Sequence, residues 1–314
     1  MVNPKILINS LDVLVAKGKD AEAFLQGQIT NDIKIIKNEE GAIYAGYCSP
    51  KGRLIAFFLI IKAQDCYFLI CPSSIGEEIS KKLSMYIMRS DVTLHKAEEI
   101  SFFSFYGNVK EEKAFKGLLD EVPIKVMQTV KCISESGEVN YFTITKLPGE
   151  ENRYFVLGEG DLINSIYNEL DQTSGVADYH SWNASDIEAK IPSIFKETQD
   201  QFIPQSLNLD LIGAVNFKKG CYTGQEIVAR THYLGQTKRR MYLGSSDLNK
   251  APQQGDSIML DQQKVGQLVN SYKLMNNSYR LLFELKIKNI DSELKISGNI
   301  IEVTKKEKSL FKDN

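Results

Sequence analysis

The apolar residues of this chain gather in short runs separated by glycine, proline and charged residues, the rhythm of strands with occasional helices. The longest run, Leu54 to Ile61, is eight residues, well short of the roughly twenty that a bilayer span needs. Its length and its Ile and Phe content predict a buried strand. Ala42 to Tyr47 has the same character, and Cys48-Ser49-Pro50-Lys51-Gly52 supplies Pro and Gly where a turn needs them, so Ala42–Tyr47 and Arg53–Ile61 predict a hairpin. Cys66 to Cys71 continues the sheet. Helical signals interleave. Asp20 is a candidate N-cap for Ala21–Gln26, with Gly27 as the stop. Ser74-x-x-Glu77 predicts a capping box ahead of Ile75, Ile79, Leu83 and Ile87, which share one helical face. Strand, strand, helix, strand is α+β organisation.

The middle third repeats this rhythm at Phe102–Tyr106, Tyr141–Ile144 and Tyr154–Leu157, with a helix predicted over Leu162–Leu170 and no fixed internal period. Past about Arg230 the pattern changes to short β-rich runs broken by Gly and Asn, among them MYLGSS and KISGNIIEVTK. These predict a C-terminal barrel of roughly 80 residues.

Composition narrows the class of protein. The 314 residues contain 38 Lys+Arg and 40 Asp+Glu, a net charge of -2, so no global positive field draws the chain to nucleic acid or anionic membrane. Hydrophobic residues at 43% and charged residues at 25% are ordinary globular usage and permit a real core. The N-terminal segment lacks a basic start, an unbroken apolar stretch and a small-residue cleavage site, which argues against secretion and for a cytoplasmic location. The five cysteines, Cys48, Cys66, Cys71, Cys132 and Cys221, are odd in number and form no CxxC pair, which disfavours a disulfide framework and a structural metal site. No metal is expected.

The densest chemistry lies at Phe217-Lys218-Lys219-Gly220-Cys221-Tyr222-Thr223-Gly224-Gln225-Glu226. Gly220 and Gly224 make this a poor strand and a poor helix interior, so a shaped loop is predicted with Cys221 on a turn. From Asn216 to Arg240 there are six basic residues, Lys218, Lys219, Arg230, Lys238, Arg239 and Arg240, against one acid, Glu226. Neighbouring cations favour a thiolate. Packing and reactivity both stay open for Cys221, whereas the other four cysteines lie in or beside apolar strands and are expected in the core. His232 is the one histidine near enough in sequence to be considered as a partner. Trp182, the single tryptophan, precedes Glu188 by six residues. A carboxylate can accept the paired N–H donors of a pterin, and an indole can wall such a ring. Taken alone, the pair reads equally as a core tryptophan and a helix-surface glutamate.

Residues 202–230, FIPQSLNLDLIGAVNFKKGCYTGQEIVAR, resemble the signature of the YgfZ-type folate-binding proteins, relatives of the aminomethyltransferase (T protein) of the glycine cleavage system. The specific core is Lys219 to Glu226. Weaker matches are GKDAEAFLQGQITND at 18–32, CSPKGRL at 48–54 and IEAKIP at 187–192. The resemblance implies an α+β fold in a ring-like, three-domain arrangement. Residues 1–230 would be a folate-binding region of two intertwined α+β subdomains, and residues 231–314 a β-barrel. It further implies a tetrahydrofolate or one-carbon folate ligand lined by Trp182 and Glu188, with Cys221 as the functional thiol and Lys219, Gly220, Tyr222, Gly224, Gln225 and Glu226 as its loop. The implied role is assembly or repair of iron-sulfur proteins on which a tRNA methylthiolation step depends. Where some relatives carry an aromatic early in the first strand, this chain has Leu11.

Three functions follow for comparison. The first is the folate-binding accessory role, with iron-sulfur client or assembly proteins as partners. One cysteine cannot hold a cluster that normally takes four ligands, so iron would be shared or transient. The second is a folate-dependent aminomethyltransferase, against which the Ser49–Arg53 turn offers no carboxylate of its own to steady an iminium carbon. The third is RNA binding through Lys218, Lys219 and Lys238 to Arg240, disfavoured by the net charge and by the absence of an RNP-type pattern. No direct contact with tRNA is expected.

Overall fold

A computed structural model describes residues 10–36, 41–63, 65–109, 113–115, 118–119, 121–133, 141–150, 152–170, 175–177, 179–235, 237–274 and 277–304. The described residues form three sheets. The first, ordered β2-β3-β4-β1-β5, uses β1 (Leu11–Lys17), β2 (Ala42–Cys48), β3 (Leu54–Ala63), β4 (Cys66–Pro72) and β5 (Thr93–Lys96). Every residue of β2 and of β4 is buried, which is why these runs show no polar alternation: both faces are covered. The predicted hairpin forms. Ser49 N–H donates to Arg53 O and Gly52 N–H to Ser49 O, both at 2.8 Å.

Helix α1 (Ala21–Gln26) lies where predicted, but the Asp20 carboxylate is engaged elsewhere, accepting the Asp91 N–H at 2.8 Å. Helix α2 (Ser73–Ser84) buries Ile75, Ile79 and Leu83. Two details differ from expectation. The chain passes from β4 straight into α2, so Pro72 is the N-cap and no side chain caps it. Ser74 is already inside the helix, and Glu77 pairs with Lys81 at 2.6 Å. The helix also stops at Ser84, leaving Ile87 in the turn that follows.

The second sheet, ordered β10-β6-β9-β8-β7, is formed by β6 (Ile100–Tyr106), β7 (Thr129–Ile133), β8 (Tyr141–Leu147), β9 (Arg153–Glu159) and β10 (Gly175–Ala177), with α3 (Gly160–Glu169) after β9. Helix α4 (Tyr179–Glu188) follows. The third sheet has seven strands in the order β16-β15-β12-β13-β14-β11-β17: β11 (Arg239–Asp247), β12 (Ser257–Leu260), β13 (Gln263–Lys273), β14 (Ser278–Lys286), β15 (Lys295–Ile296), β16 (Asn299–Ile300) and β17 (Glu302–Val303). Its edge strands β16 and β17 are separated by Ile301 alone, and Ser246 on β11 donates to Ile300 O at 2.8 Å. The sheet is therefore a nearly closed barrel around Ile258, Leu268, Leu281, Phe283 and Leu285.

By compactness the chain divides into two units. Of the described residues, one holds those within 1–26, 33–44 and 58–182, the other those within 27–32, 45–57 and 183–314; three of the five boundaries fall within β2, β3 and α4, and the other two flank residues 27–32. No helix among the described residues is long and apolar enough to cross a membrane.

Candidate functional site

The motif loop belongs to the second unit and is built on residues 29–31 and the tip of the β2–β3 hairpin. Thr30 is the hub. Its N–H donates to Gly46 O at 2.8 Å, and its carbonyl accepts the Asn216 N–H at 3.0 Å. Its hydroxyl donates to Ala214 O at 2.7 Å and accepts the Gly46 N–H at 2.8 Å. Asn31 Nδ2 adds a bond to Gly213 O at 2.8 Å. These bonds hold residues 213–216 against the end of β2 and aim the following stretch back at the hairpin.

Lys219 is the unexpected member. It is only 8% exposed, and its Nζ donates to Ile29 O at 2.7 Å and Asn31 O at 2.8 Å. The ammonium lies 5.1 Å from the Tyr222 ring centroid, a cation–π distance. Burial lowers its pKa to about 8, with the Asp32 charge opposing. Tyr222 is buried in turn, and its phenol is pushed up by burial and then by Cys48. Below it the Cys48 thiol is pushed up by burial and then by Asp200. Cys48, Cys66 and Cys71 are buried, but Cys221 is exposed. The Cys132 side chain lies outside the described residues. Gly220 is open, since a Cβ there would meet nothing within 4 Å.

The loop ends at Gly224, the N-cap of α5 (Gln225–Tyr233), with φ +82°. Gln225 N–H closes a turn onto Tyr222 O at 3.1 Å. Glu226 in the first turn pairs with Arg230 in the last at 2.7 Å, both exposed. His232 is taken up by the Phe217 ring, stacked on it at 3.7 Å between centroids. The hairpin tip also brings in a carboxylate that its own residues lack: Asp200 Oδ1 accepts the Ser49 hydroxyl at 2.7 Å.

On α4, each unit engages its own residue. In the first unit Trp182 is 6% exposed, with the Arg153 guanidinium 5.0 Å from its ring centroid and Phe155 at 5.4 Å. In the second unit Glu188 is held by three bonds. Oε1 accepts Tyr272 OH at 2.7 Å and Arg280 Nε at 2.9 Å, and Oε2 accepts Arg280 at 3.2 Å. A carboxylate has about four acceptor positions, so one direction on Oε2 remains. As placed, Glu188 fits a pterin through a single hydrogen bond, and the full two-donor fork requires Arg280 to yield.

No family model matches the chain. It is 28% identical over 280 residues to the tRNA-modifying protein YgfZ of Colwellia psychrerythraea, spanning 87% of this chain and 82% of that one. To the tRNA-modifying protein YgfZ of Escherichia coli it is 30% identical over 243 residues, 77% and 72% of the two chains. The chain belongs to the YgfZ family. Among solved structures, the glycine cleavage system aminomethyltransferase T from Bartonella henselae aligns with a TM-score of 0.71 over 96% of this chain and 84% of that one, at 11% identity. The YgfZ-family chain thus has an aminomethyltransferase-like fold.

The basic patch of this YgfZ-family chain is smaller than its sequence window suggests. Arg239 donates to both oxygens of Glu284, and Arg240 to both oxygens of Asp210 at 2.6 and 2.9 Å. Those two acids lie outside the 216–240 window. With Lys219 buried and Arg230 paired, Lys218 and Lys238 are the window's exposed lysines. Thr30 and Asn31 belong to a segment that the YgfZ resemblance had marked. Asp200, Tyr272 and Arg280 carried no sequence signal, because each acts through a partner 84 to 151 residues away.

Among the described residues no group of three or more His, Cys, Asp or Glu could hold a metal ion.

Proposed function

We propose that this chain is a folate-binding accessory protein that acts, in the cytoplasm, on the assembly or repair of iron-sulfur proteins supporting tRNA methylthiolation, through the Cys221 thiol. In this reading residues 1–230 form the folate-binding part and residues 231–314 the barrel. The observation that carries it is the placement of Cys221, exposed on a loop whose neighbours are pinned. A thiol kept for packing would be buried like Cys48. A single thiol supplies one ligand of the four a cluster takes, so iron is handled jointly with a client protein. Glu188, oriented by the Tyr272 hydroxyl on Oε1, is the anchor for the pterin of a tetrahydrofolate, with Arg280 as the group the pterin displaces. The test is Cys221→Ser in cells lacking the wild-type protein, scored by the methylthio content of tRNA. Loss of the modification with normal folding and folate binding supports the reading, and full activity sinks it.

One observation favours a second reading, aminomethyl transfer to folate: Asp200 places a carboxylate at the Ser49 turn, where negative charge would steady an iminium carbon. Formation of methylenetetrahydrofolate and ammonia from an aminomethyl donor, abolished by Asp200→Asn, would establish it. Turnover no faster than a blank removes it.

A further inference from the structure

Within the second unit, two cavities of about 480 and 600 Å³ share Thr237, Lys238 and Arg239 in their walls, and both fall in the size range of small-ligand sites, about 300–1,000 Å³. The strand pairing sets Arg239 opposite Lys286. Ile287 N–H donates to Lys238 O at 2.9 Å, which holds Lys238 beside Lys286 and Lys288, and Arg53 joins the lining of the first cavity. The one carboxylate in either lining, Glu284, has both oxygens taken by Arg239. Arg53, Lys238, Lys286 and Lys288 form no ion pair with another described residue. With Glu284 spent on Arg239, the charges of Lys238, Lys286 and Lys288 in one lining have no carboxylate to offset them, so the wall is complementary to an anion.

The rest of the lining asks for more than an anion. The Ser206 hydroxyl donates to Ile203 O and the Thr231 hydroxyl to Ile227 O, each at 2.9 Å. With their protons spent, both offer only acceptor lone pairs, which suit ligand O–H and N–H donors. Ile203 adds apolar surface. We propose that this pair of cavities binds a nucleoside phosphate, the phosphate at Lys238, Lys286 and Lys288 and the sugar and base donors at Ser206 and Thr231. Lysine suits such a contact as a point charge. The proposal is independent of the folate reading.

Calorimetric titration of the full chain at low salt with AMP, adenosine, inorganic phosphate and a ten-residue oligoadenylate tests it. AMP binds at least about 10-fold more tightly than adenosine or phosphate. Lys238→Ala combined with Lys286→Ala loses about 10-fold, whereas Lys238→Arg retains binding. If the oligoadenylate binds no more tightly than AMP, the ligand is a free nucleotide. If it binds more tightly and loses affinity steeply with salt, the ligand is a nucleotide within an RNA strand. AMP binding no tighter than adenosine and phosphate in the wild-type protein overturns the proposal. So does unchanged AMP affinity in a double variant that melts like wild type.

Discussion

Gly224 and Gly52 meet backbone to backbone. A Cβ on Gly224 would lie 2.4 Å from Ser49 O and 2.9 Å from Gly52 Cα, and one on Gly52 would lie 2.7 Å from Ile227 Cβ. Both residues have positive φ, +82° and +67°, so each position resists a side chain on conformational and steric grounds together. This contact docks the Cys221 loop on the hairpin, and it explains why glycine closes the motif. Gly224→Ala is expected to destabilise by about 2–4 kcal/mol. Gly220→Ala, in open space, should be nearly neutral. Denaturant unfolding of the two variants checks the contrast, and equal midpoints would refute it.

The Lys219 ammonium satisfies two carbonyls, Ile29 O and Asn31 O, in a buried setting, and an apolar side chain there takes that donor away. Lys219→Met should therefore cost about 2–4 kcal/mol. The pH dependence has a definite sign. Folded Lys219 gives up its proton near pH 8, against an ordinary value of 10.5, so within that interval the unfolded chain binds more protons. Wild-type stability, measured relative to Lys219→Met, should rise from about pH 8 toward pH 10.5 and be flat below pH 8. A difference that falls with pH would mean that the lysine is not desolvated.

Arg280 occupies both oxygens of Glu188, so under the proposed folate reading it competes with the pterin and the two affinities are linked. Glu188→Gln should weaken tetrahydrofolate binding by roughly 10-fold, because a charged acceptor is lost. Arg280→Met should tighten or preserve binding by freeing the second oxygen. A ligand titration on both variants decides. If Arg280→Met weakens binding as much as Glu188→Gln does, the ion pair matters as a structural tie and Glu188 is not the acceptor.

The parts of this fold that were readable are those written in contiguous sequence. The Leu54–Ile61 run is legible because burial leaves no polar residue to interrupt it, and the Cys48–Gly52 turn because Pro and Gly mark it locally. The capping box at Ser74 misled because the adjoining strand runs into the helix, a junction that local propensity does not encode. The charge around Cys221 misled for a related reason. Glu284 and Asp210 come from distant strands and turns to neutralise Arg239 and Arg240, and Lys219, in a Lys-Lys-Gly run that looks solvated, turns inward because Ile29 and Asn31 offer carbonyls from nearly 190 residues away.

Thiol chemistry gives the most direct check on the site. Cys48 and Cys71 are buried and their thiols are pushed up, Cys48 by burial and then Asp200, Cys71 by burial and then Asp12. Cys66 is buried as well, while Cys221 faces solvent. Alkylation requires the thiolate and access to it. In the native chain an iodoacetamide adduct should therefore form first at Cys221, located by peptide mass, and Cys48, Cys66 and Cys71 should react only on unfolding. Cys221→Ser should abolish the fast phase while leaving the melting temperature unchanged, since the residue is exposed and substitutions at exposed positions change stability little. A fast phase that survives in Cys221→Ser would place the accessible thiol elsewhere. A large drop in melting temperature would make Cys221 a packing residue, and the assignment of function to this loop would fall with it.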